Sequence, residues 1–395
     1  MLNQAEKKKC YHCGNNPIPH GLNLANEYFM MFLHRLDGLN RSWLGRSVDR
    51  IMYAATGVLV KLGIVLKMAE IELDTAKITS TRLKVIIEEA RSRGILCGRV
   101  TLFGRPTGIC FAQIGRKEIL FTVFPIPQKL KTDAVHWMDD KMVVKKKLIE
   151  AGLPVPHGGV FSSFASMRKA FDGLDKPVIV KPASGSRGRH TTTFINTEDE
   201  LREAYRVGRK LAPRLVMEEH LVGSVYRGTI INGVLAGILR GDPPRITGDG
   251  KSTISELINT KNFHRHTKVK EYKISPLTAG FLKRSGDYSL EMVLPKGKTI
   301  DLTEKIGVSY GGYSAEEYDI AHPKIKEVLE KAGRAINYPV MGFDFIIGDI
   351  TKDPDAQKWG IIECNSVPFL DLHHFPVEGT PRNAARHVWD MWEKQ

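Results

Sequence analysis

The sequence predicts an α+β protein in which the first third differs from the rest. Residues 1–130 begin with a Gly/Asn/Pro-rich lead over Cys13–Gly21, continue with helical periodicity, and end in short strand-like runs. From Lys131 to Gln395, helical periodicity and short apolar strands alternate more densely. We therefore expect a mixed α/β N-terminal domain over 1–130 and a second domain over 131–395, with Pro125-Ile-Pro127 as the linker.

The elements of the first domain are predicted from the spacing of apolar residues. Helical structure is expected from Gly21 to about Ala69. A further helix over Ser80–Arg93 is predicted because apolar residues recur there three and four positions apart. Apolar runs separated by Gly/Arg/Pro turns predict three short strands. These strands cover Val100–Phe103, Ile109–Ile114 and Ile119–Val123.

In the second domain, capping and turn residues add to the periodicity. A helix over Asp139–Ala151 is predicted to end at Gly152, and Thr197-Glu-Asp-Glu200 is a capping box that begins another helix. Asn232-Gly233 between two apolar runs predicts a hairpin with a type I′ turn. The polar segment Gly241–Tyr310 has little periodicity and is interpreted as a candidate active-site flap. The other predicted elements are strands over 177–182, 215–219, 341–347 and 360–365 and helices over 323–336 and 381–392.

Composition narrows the class of ligand. The chain has 58 Lys and Arg against 44 Asp and Glu, a formal charge of +14, which suits anionic ligands such as nucleotides. No RNP box, zinc-finger array or arginine-rich tail is present, so nucleic acid is not expected as a partner. No signal peptide is evident. The apolar stretch Ile51–Leu66 is interrupted by Lys61 and is shorter than the roughly 20 residues that span a bilayer, so a buried or amphipathic helix is expected, not a membrane partner.

The cysteines are too few and too scattered to form a disulfide framework, and they fit a reducing, cytoplasmic location. Cys10-Tyr-His-Cys13, with His12 and His20 close by, suggests a zinc knuckle. No second CxxC follows, and ordinary free thiols are the favoured interpretation. The five cysteines are Cys10, Cys13, Cys97, Cys110 and Cys364.

Three residues near the C-terminus are candidate metal ligands. Glu363 and Asn365 lie two positions apart on a predicted strand, so their side chains project to the same face. Asp344 lies within another apolar strand, where a buried acid is unfavourable unless it is paired or binds a cation. Carboxylate and amide oxygens are ligands suited to Mg²⁺. The alternative is that the acids pair with basic residues in a structural network.

Other segments are candidates for phosphate and adenine binding. Lys181 ends an apolar strand and leads into a Ser/Gly-rich loop whose backbone N–H groups could approach phosphate oxygens. Lys141 begins a predicted helix, and a strand ends at a pair of glutamates where a hinge could accept adenine. A Walker-like segment at Lys251 is rejected, because its first glycine would fall at Arg245. The loop and hinge residues singled out are Ser184, Gly185, Ser186, Gly188, Glu218 and Glu219.

Taken in order, these segments resemble the successive motifs of the ATP-grasp superfamily, over about Lys131–Gln395. The nearest resemblance is to the ATP-grasp part of cyanophycin synthetase and to the related glutathione-synthetase modules. D-alanine–D-alanine ligase and the ribosomal-protein glutamate ligases look more distant. The nearer resemblance is carried by the segments Val222–Arg227, Thr247–Ile258 and Asn365–Pro368, with His373 beyond them.

This resemblance implies an ATP-grasp fold, in which two α+β subdomains clasp ATP. It implies a carboxylate–amine ligase that forms an amide or peptide bond through an acyl phosphate and releases ADP and phosphate. The implied substrates are small molecules or peptides, most simply an amino acid or peptide, and the implied cofactors are ATP and two Mg²⁺ ions, with Mn²⁺ as a substitute. The resemblance implies phosphate binding by Lys141, Lys181 and the 184–191 loop, and adenine binding by Glu218. It implies charge stabilisation by an arginine, either Arg227 or Arg240. The implied metal ligands are Asp344, Glu363 and Asn365.

The sequence also departs from its relatives. Val225 stands where they usually carry a ribose-binding acid, so that contact is either lost or supplied by Glu219. Ser366-Val-Pro368-Phe replaces the usual small-residue ending, which puts the acyl-substrate pocket in doubt. The Mur-ligase-like half of cyanophycin synthetase is absent, so the same polymer is not expected. An ATP-grasp phosphotransferase, a non-catalytic nucleotide-binding protein and a homo-oligomeric state all remain open.

Overall fold

A computed structural model of the chain describes residues 10–14, 17–36, 55–184 and 188–393. Helices and strands are mixed throughout these ranges. The helices are α1 (His20–Leu36), α2 (55–65), α3 (Thr81–Ser92), α4 (Lys141–Glu150), α5 (Phe164–Phe171), α6 (Glu198–Arg209), α7 (Ile254–Phe263), α8 (Pro276–Gly286), α9 (Pro323–Ile336), α10 (Asp371–His374) and α11 (Ala384–Glu393). Within the described ranges, no helix is both long and apolar enough to cross a membrane.

The strands form a four-stranded antiparallel sheet in the first part of the chain, and a six-stranded, a four-stranded and a two-stranded sheet in the second. The strands are β1 (Ala69–Glu72), β2 (Leu96–Leu102), β3 (Arg105–Ile114), β4 (Lys117–Phe121), β5 (Gly158–Phe161), β6 (Val178–Pro182), β7 (Thr192–Ile195), β8 (Leu215–Glu219), β9 (Ser224–Ile231), β10 (Val234–Asp242), β11 (Arg245–Thr247), β12 (Thr299–Asp301), β13 (Tyr313–Glu316), β14 (Val340–Ile347), β15 (Gly360–Asn365) and β16 (Glu378–Gly379). The predicted α+β class is confirmed.

The first part of the chain is built around the sheet β1-β2-β3-β4 and α3. Ser80 caps α3 by accepting a hydrogen bond from the Leu83 N–H, as expected for a serine before an amphipathic helix. The predicted helix and the three predicted strands are confirmed. The stretch Ile51–Leu66 is helical over 55–65, and residues 51–54 lie outside the described ranges. Its apolar side chains Val58 and Leu59 are exposed, so this helix is not buried.

The first part of the chain shares its core with the C-terminal helix. Ile86 and Ile87 of α3 are buried together with Val388 and Trp389 of α11. The indole N–H of Trp389 donates to the backbone oxygen of Ile86 at 2.9 Å. A single apolar core therefore crosses the proposed boundary at residue 130, and the division into domains over 1–130 and 131–395 stays a prediction.

The second part contains a four-stranded sheet of order β5-β8-β6-β7, covered by α5 and α6, and a six-stranded sheet of order β15-β14-β9-β10-β13-β16, which packs against α9. The predicted capping box of Thr197 and Glu200 begins α6. Asn232 and Gly233 have φ values of 50° and 80°, the left-handed conformation that a type I′ turn requires. The predicted hairpin β9–β10 is confirmed.

The segment 241–310 is more regular than its sequence suggested. It contains α7, α8 and the two-stranded sheet β11–β12, and it has an apolar core that includes Ile254, Leu282 and Leu294. The weak periodicity of the segment therefore hid a folded core, and its interpretation as an active-site flap stays a prediction. A capping box of Thr253 and Glu256 begins α7, and this signal in the sequence was overlooked.

Candidate active site

A row of charged side chains crosses three strands of the six-stranded sheet. Arg227 on β9 is directly opposite Asp344 on β14, and Asp344 is directly opposite Glu363 on β15. Directly opposed residues on neighbouring strands project to the same face. The Nε and Nη2 groups of Arg227 donate to the two carboxylate oxygens of Asp344 at 2.6 and 2.7 Å. At the other end, Lys141 Nζ lies 3.3 Å from Glu363 Oε2. We call these four residues the charge row.

The side-chain amide of Asn365 lies between the two acids of the charge row. Its Nδ2 atom is 3.4 Å from Asp344 Oδ2 and 3.3 Å from Glu363 Oε1. Asn365 and Glu363 project to the same face because two positions on a strand separate them. The structure therefore brings together the three residues that the sequence suggested as metal ligands.

Burial and neighbouring charges act differently on the two acids. Burial raises the pKa of Asp344 to about 6, although the Arg227 guanidinium opposes this rise. Burial would also raise the pKa of Glu363, but Lys141 and Arg227 outweigh it and lower that pKa to about 2. A buried and a partly buried carboxylate side by side repel each other, so the middle of the charge row is suited to a bound cation.

Helix α4 connects this row to the four-stranded sheet β5-β8-β6-β7. Asp140 caps the helix by accepting a hydrogen bond from the Met142 N–H at 2.8 Å. Lys141 begins the helix and reaches Glu363, whereas Lys145, one turn later, donates to Glu218 Oε1 at 2.8 Å. Residues four apart lie on one side of a helix, so α4 presents both lysines in the same direction.

Glu218, at the end of β8, is held by two lysines. Lys181 Nζ lies 2.8 Å from Glu218 Oε2, and Lys145 Nζ lies 2.8 Å from the other carboxylate oxygen, Oε1. Glu218 is 4% exposed. Burial alone would raise the pKa of Glu218, but the two lysines outweigh it and lower that pKa. Lys145 was missed by sequence reasoning; its spacing of four from Lys141 was the available signal.

Two predicted site residues lie apart from this group. Glu219 follows Glu218 on β8 and so projects to the opposite face, where it accepts from the His157 N–H at 2.9 Å and pairs with Lys358. Arg240 is opposite Tyr226, not Arg227, and its Nε donates to Asp242 at 2.6 Å. The structure thus brings neither Glu219 nor Arg240 into the charge row.

The predicted phosphate loop is described only in part. Gly185 and Ser186 lie outside the described residues. Ser184 donates its hydroxyl to Glu27 of α1, and the backbone oxygen of Gly188 accepts from Lys305 Nζ at 2.7 Å. The role of this loop stays a prediction.

The N-terminal part of the chain reaches the segment that follows Asn365. Arg82 of α3 donates to the backbone oxygen of Val367 at 3.0 Å, and its guanidinium lies 5.0 Å from the centre of the Phe369 ring. Sequence reasoning gave no role to Arg82, because this contact joins positions far apart in the chain.

Comparison with known proteins gives relatives for about two-thirds of the chain. No family model matches. Over 261 residues, 64% of this chain, it is 33% identical to the cyanophycin synthetase of Geminocystis herdmanii, of which it covers 30%. It is 29% identical over 263 residues to the glutathione biosynthesis bifunctional protein GshAB of Clostridium perfringens, of which it covers 34%. The chain thus spans about a third of the length of these relatives.

Among solved structures, a bifunctional glutathione synthetase from Pasteurella multocida aligns with 80% of this chain and 44% of its own, with a TM-score of 0.52 and 21% identity. At this level of identity, the similarity shows a shared fold. The predicted ATP-grasp fold and the predicted resemblance to cyanophycin synthetase and the glutathione synthetase modules are confirmed.

Proposed function

We propose that this ATP-grasp chain is an ATP-dependent ligase that joins a carboxylate to an amine, forming an amide or peptide bond and releasing ADP and phosphate. The observation that carries the proposal is the charge row with Asn365, connected through α4 to Glu218 and Lys181. This arrangement places three acids, an amide, an arginine and three lysines on the two sheets and on the helix that connects them. The names of the relatives agree with the proposal, although the chain spans only about a third of those proteins.

Lys141 and Lys181 would bind the phosphates of ATP. Their ammonium groups face carboxylates that hold them in position, Glu363 and Glu218 respectively. Because both oxygens of Glu218 are engaged by lysines, we assign it first to positioning Lys181, with adenine contact at the hinge as a second role. The loop containing Ser184 and Gly188 would close over the terminal phosphates.

Asp344, Glu363 and Asn365 would hold Mg²⁺. The fit lies in the donor set, since two carboxylates and a side-chain amide can supply hard oxygen ligands. The Nδ2 atom of Asn365 lies 3.4 and 3.3 Å from the two carboxylates, so the amide would turn to present its oxygen to the ion. When bound, Mg²⁺ supplies positive charge that offsets the charge of the nucleotide phosphates. Two ions, and the use of Mn²⁺ in their place, are part of the proposal.

The reaction requires activation of a poor electrophile. A carboxylate is anionic and resonance-stabilised, so the γ-phosphoryl group is first transferred to one of its oxygens, which gives an acyl phosphate and ADP. The amine then attacks the acyl carbon and loses a proton. The bond between this carbon and the phosphorylated oxygen breaks, and phosphate leaves with that oxygen. Arg227, fixed by two hydrogen bonds to Asp344, would offset the developing negative charge. Arg240 is engaged with Asp242 and Glu317 and is the weaker candidate for this role.

The substrates are proposed to be amino acids or peptides. Arg82 and the segment 366–369 would border the acyl-substrate pocket, because this segment directly follows Asn365 and Arg82 contacts it. The N-terminal part of the chain would then contribute to substrate selection.

The proposal can be tested by screening amino acids and short peptides for compounds that stimulate ADP release by the protein. Mass spectrometry would then identify the products. An amide product formed together with ADP and phosphate would support it, and Glu363→Gln serves as the inactive control. ADP formed with an alcohol acceptor and without an amide would identify a phosphotransferase. Failure of the purified chain to bind ATP in the presence of Mg²⁺ would overturn the proposal.

A further inference from the structure

Three side chains near the start of the described chain and one from the loop after β6 converge away from the charge row. They are Cys10, Cys13, His20 and His190, and their sulfur and nitrogen atoms all lie within 4.8 Å of one another. Cys10 precedes a short 3₁₀ turn that ends at Cys13, and the backbone N–H of Cys13 donates to the backbone oxygen of Cys10 at 3.1 Å. His20 is the first residue of α1, and His190 closes the Ser/Gly-rich loop.

The spacing of these atoms fits a tetrahedral zinc site. Zn–S bonds of about 2.3 Å and Zn–N bonds of about 2.0–2.1 Å place tetrahedral sulfur and nitrogen ligands about 3.6 Å apart and two nitrogens about 3.3 Å apart. His190 Nε2 is 3.6 Å from the sulfurs of both Cys10 and Cys13. His20 Nε2 is 3.1 Å from the sulfur of Cys13 and 3.2 Å from His190 Nε2. All four distances lie within about 0.5 Å of these tetrahedral spacings.

Neighbouring groups orient the ligands. The Nδ1 atom of His190 lies 2.7 Å from the backbone oxygen of Val207, which directs Nε2 toward the two sulfurs. A metal-ligating histidine commonly donates its other ring N–H to a carbonyl in this way. The backbone N–H of His190 also donates to the backbone oxygen of His12, which lies between Cys10 and Cys13. Cys13 and His190 are buried, so the interior of the cluster is shielded from water.

We propose that Cys10, Cys13, His20 and His190 bind a structural Zn²⁺ ion. Four protein ligands leave no position for substrate or water, which is the arrangement of structural rather than catalytic zinc. Two thiolates neutralise the charge of the ion, which suits this buried position.

The zinc site would connect the N-terminal segment to the loop that follows β6. His190 ends the loop, and Ser184, at the loop's other described end, donates to Glu27 of α1, the helix that begins at His20. The metal would therefore fix α1 against both ends of the 184–190 segment. Any effect of this fixation on ATP binding by the loop rests on the proposed function, whereas zinc binding itself does not.

Elemental analysis and cobalt substitution test the site directly. Untagged protein purified under reducing conditions should contain about one zinc ion per chain. Replacement of zinc by Co²⁺ should give the visible absorption of tetrahedral cobalt together with a thiolate-to-cobalt charge-transfer band. Cys13→Ser and His20→Ala should lose the zinc. Cys97→Ser, at a buried thiol outside the cluster, should retain it.

Metal analysis of the wild-type protein tests the proposal even if a variant fails to fold. A chain that lacks zinc, binds no Co²⁺ and shows no thiolate band would overturn the proposal, as would a Cys10–Cys13 disulfide in its place. Full zinc content in a folded His20→Ala variant with an unchanged cobalt spectrum would also contradict the assigned ligand set. None of these measurements depends on ligase activity, so a failed zinc proposal is distinguishable from a failed function proposal.

Discussion

Asp344 and Glu363 are directly opposite each other on adjacent antiparallel strands, and the Asn365 amide lies within 3.4 Å of both carboxylates. Arg227 pairs with the first acid and Lys141 with the second, so the positive charges are at the ends of the row and the negative charges are in the middle. A purely structural network of ion pairs would gain little from placing two acids side by side. The order of charges therefore favours cation binding.

Replacing Glu363 with Gln should lower the rate of ADP formation on the order of a thousandfold, because one carboxylate ligand is lost while the shape of the side chain is kept. Steady-state assays at saturating Mg²⁺ and circular dichroism would measure the activity and the fold. Glu327→Gln, at an exposed position of α9, is the matched control and should leave turnover unchanged. Near-wild-type turnover of Glu363→Gln would exclude the metal assignment.

Lys181→Ala should weaken ATP binding far more than Lys251→Ala does. Lys181 lies at the end of a buried strand and pairs with Glu218, whereas Lys251 is exposed on a turn held by Asp249. Titration calorimetry with ATP and Mg²⁺ would compare the two variants. If Lys251→Ala abolished binding and Lys181→Ala left it unchanged, the phosphate site would lie at the Walker-like segment instead.

Local signals predicted much of this fold, whereas contacts between distant segments escaped prediction. The capping box at Thr197 and the turn at Asn232 depend on a few neighbouring residues, and both predictions were confirmed. The candidate metal ligands were found because each lies on a strand whose period of two fixes its face. The Arg82 contact with Val367 and the approach of His190 to Cys13 join residues far apart in sequence, and no local pattern encodes them.

Lys145→Met should destabilise the protein and weaken ATP binding together. The change leaves one oxygen of the buried Glu218 carboxylate without its lysine, while Lys181 remains on the other. Loss of one hydrogen bond to a buried charged group should lower the free energy of unfolding by about 1–3 kcal/mol. Urea unfolding would measure this change. Lys146→Met, at the exposed neighbouring position, should have little effect, and equal stability of the two variants would refute the proposed role of Lys145.

The reaction should yield ADP and phosphate, not AMP and pyrophosphate. The two acids and Asn365 are suited to Mg²⁺ at the terminal phosphates, which is the arrangement for γ-phosphoryl transfer. With the correct acid present, hydroxylamine should trap the acyl phosphate as a hydroxamate even when the amine is omitted. Oxygen-18 placed in the substrate carboxylate should appear in the released phosphate, because that oxygen leaves with the phosphoryl group. Pyrophosphate release, or label recovered only in AMP, would show attack at the α-phosphate and exclude this mechanism.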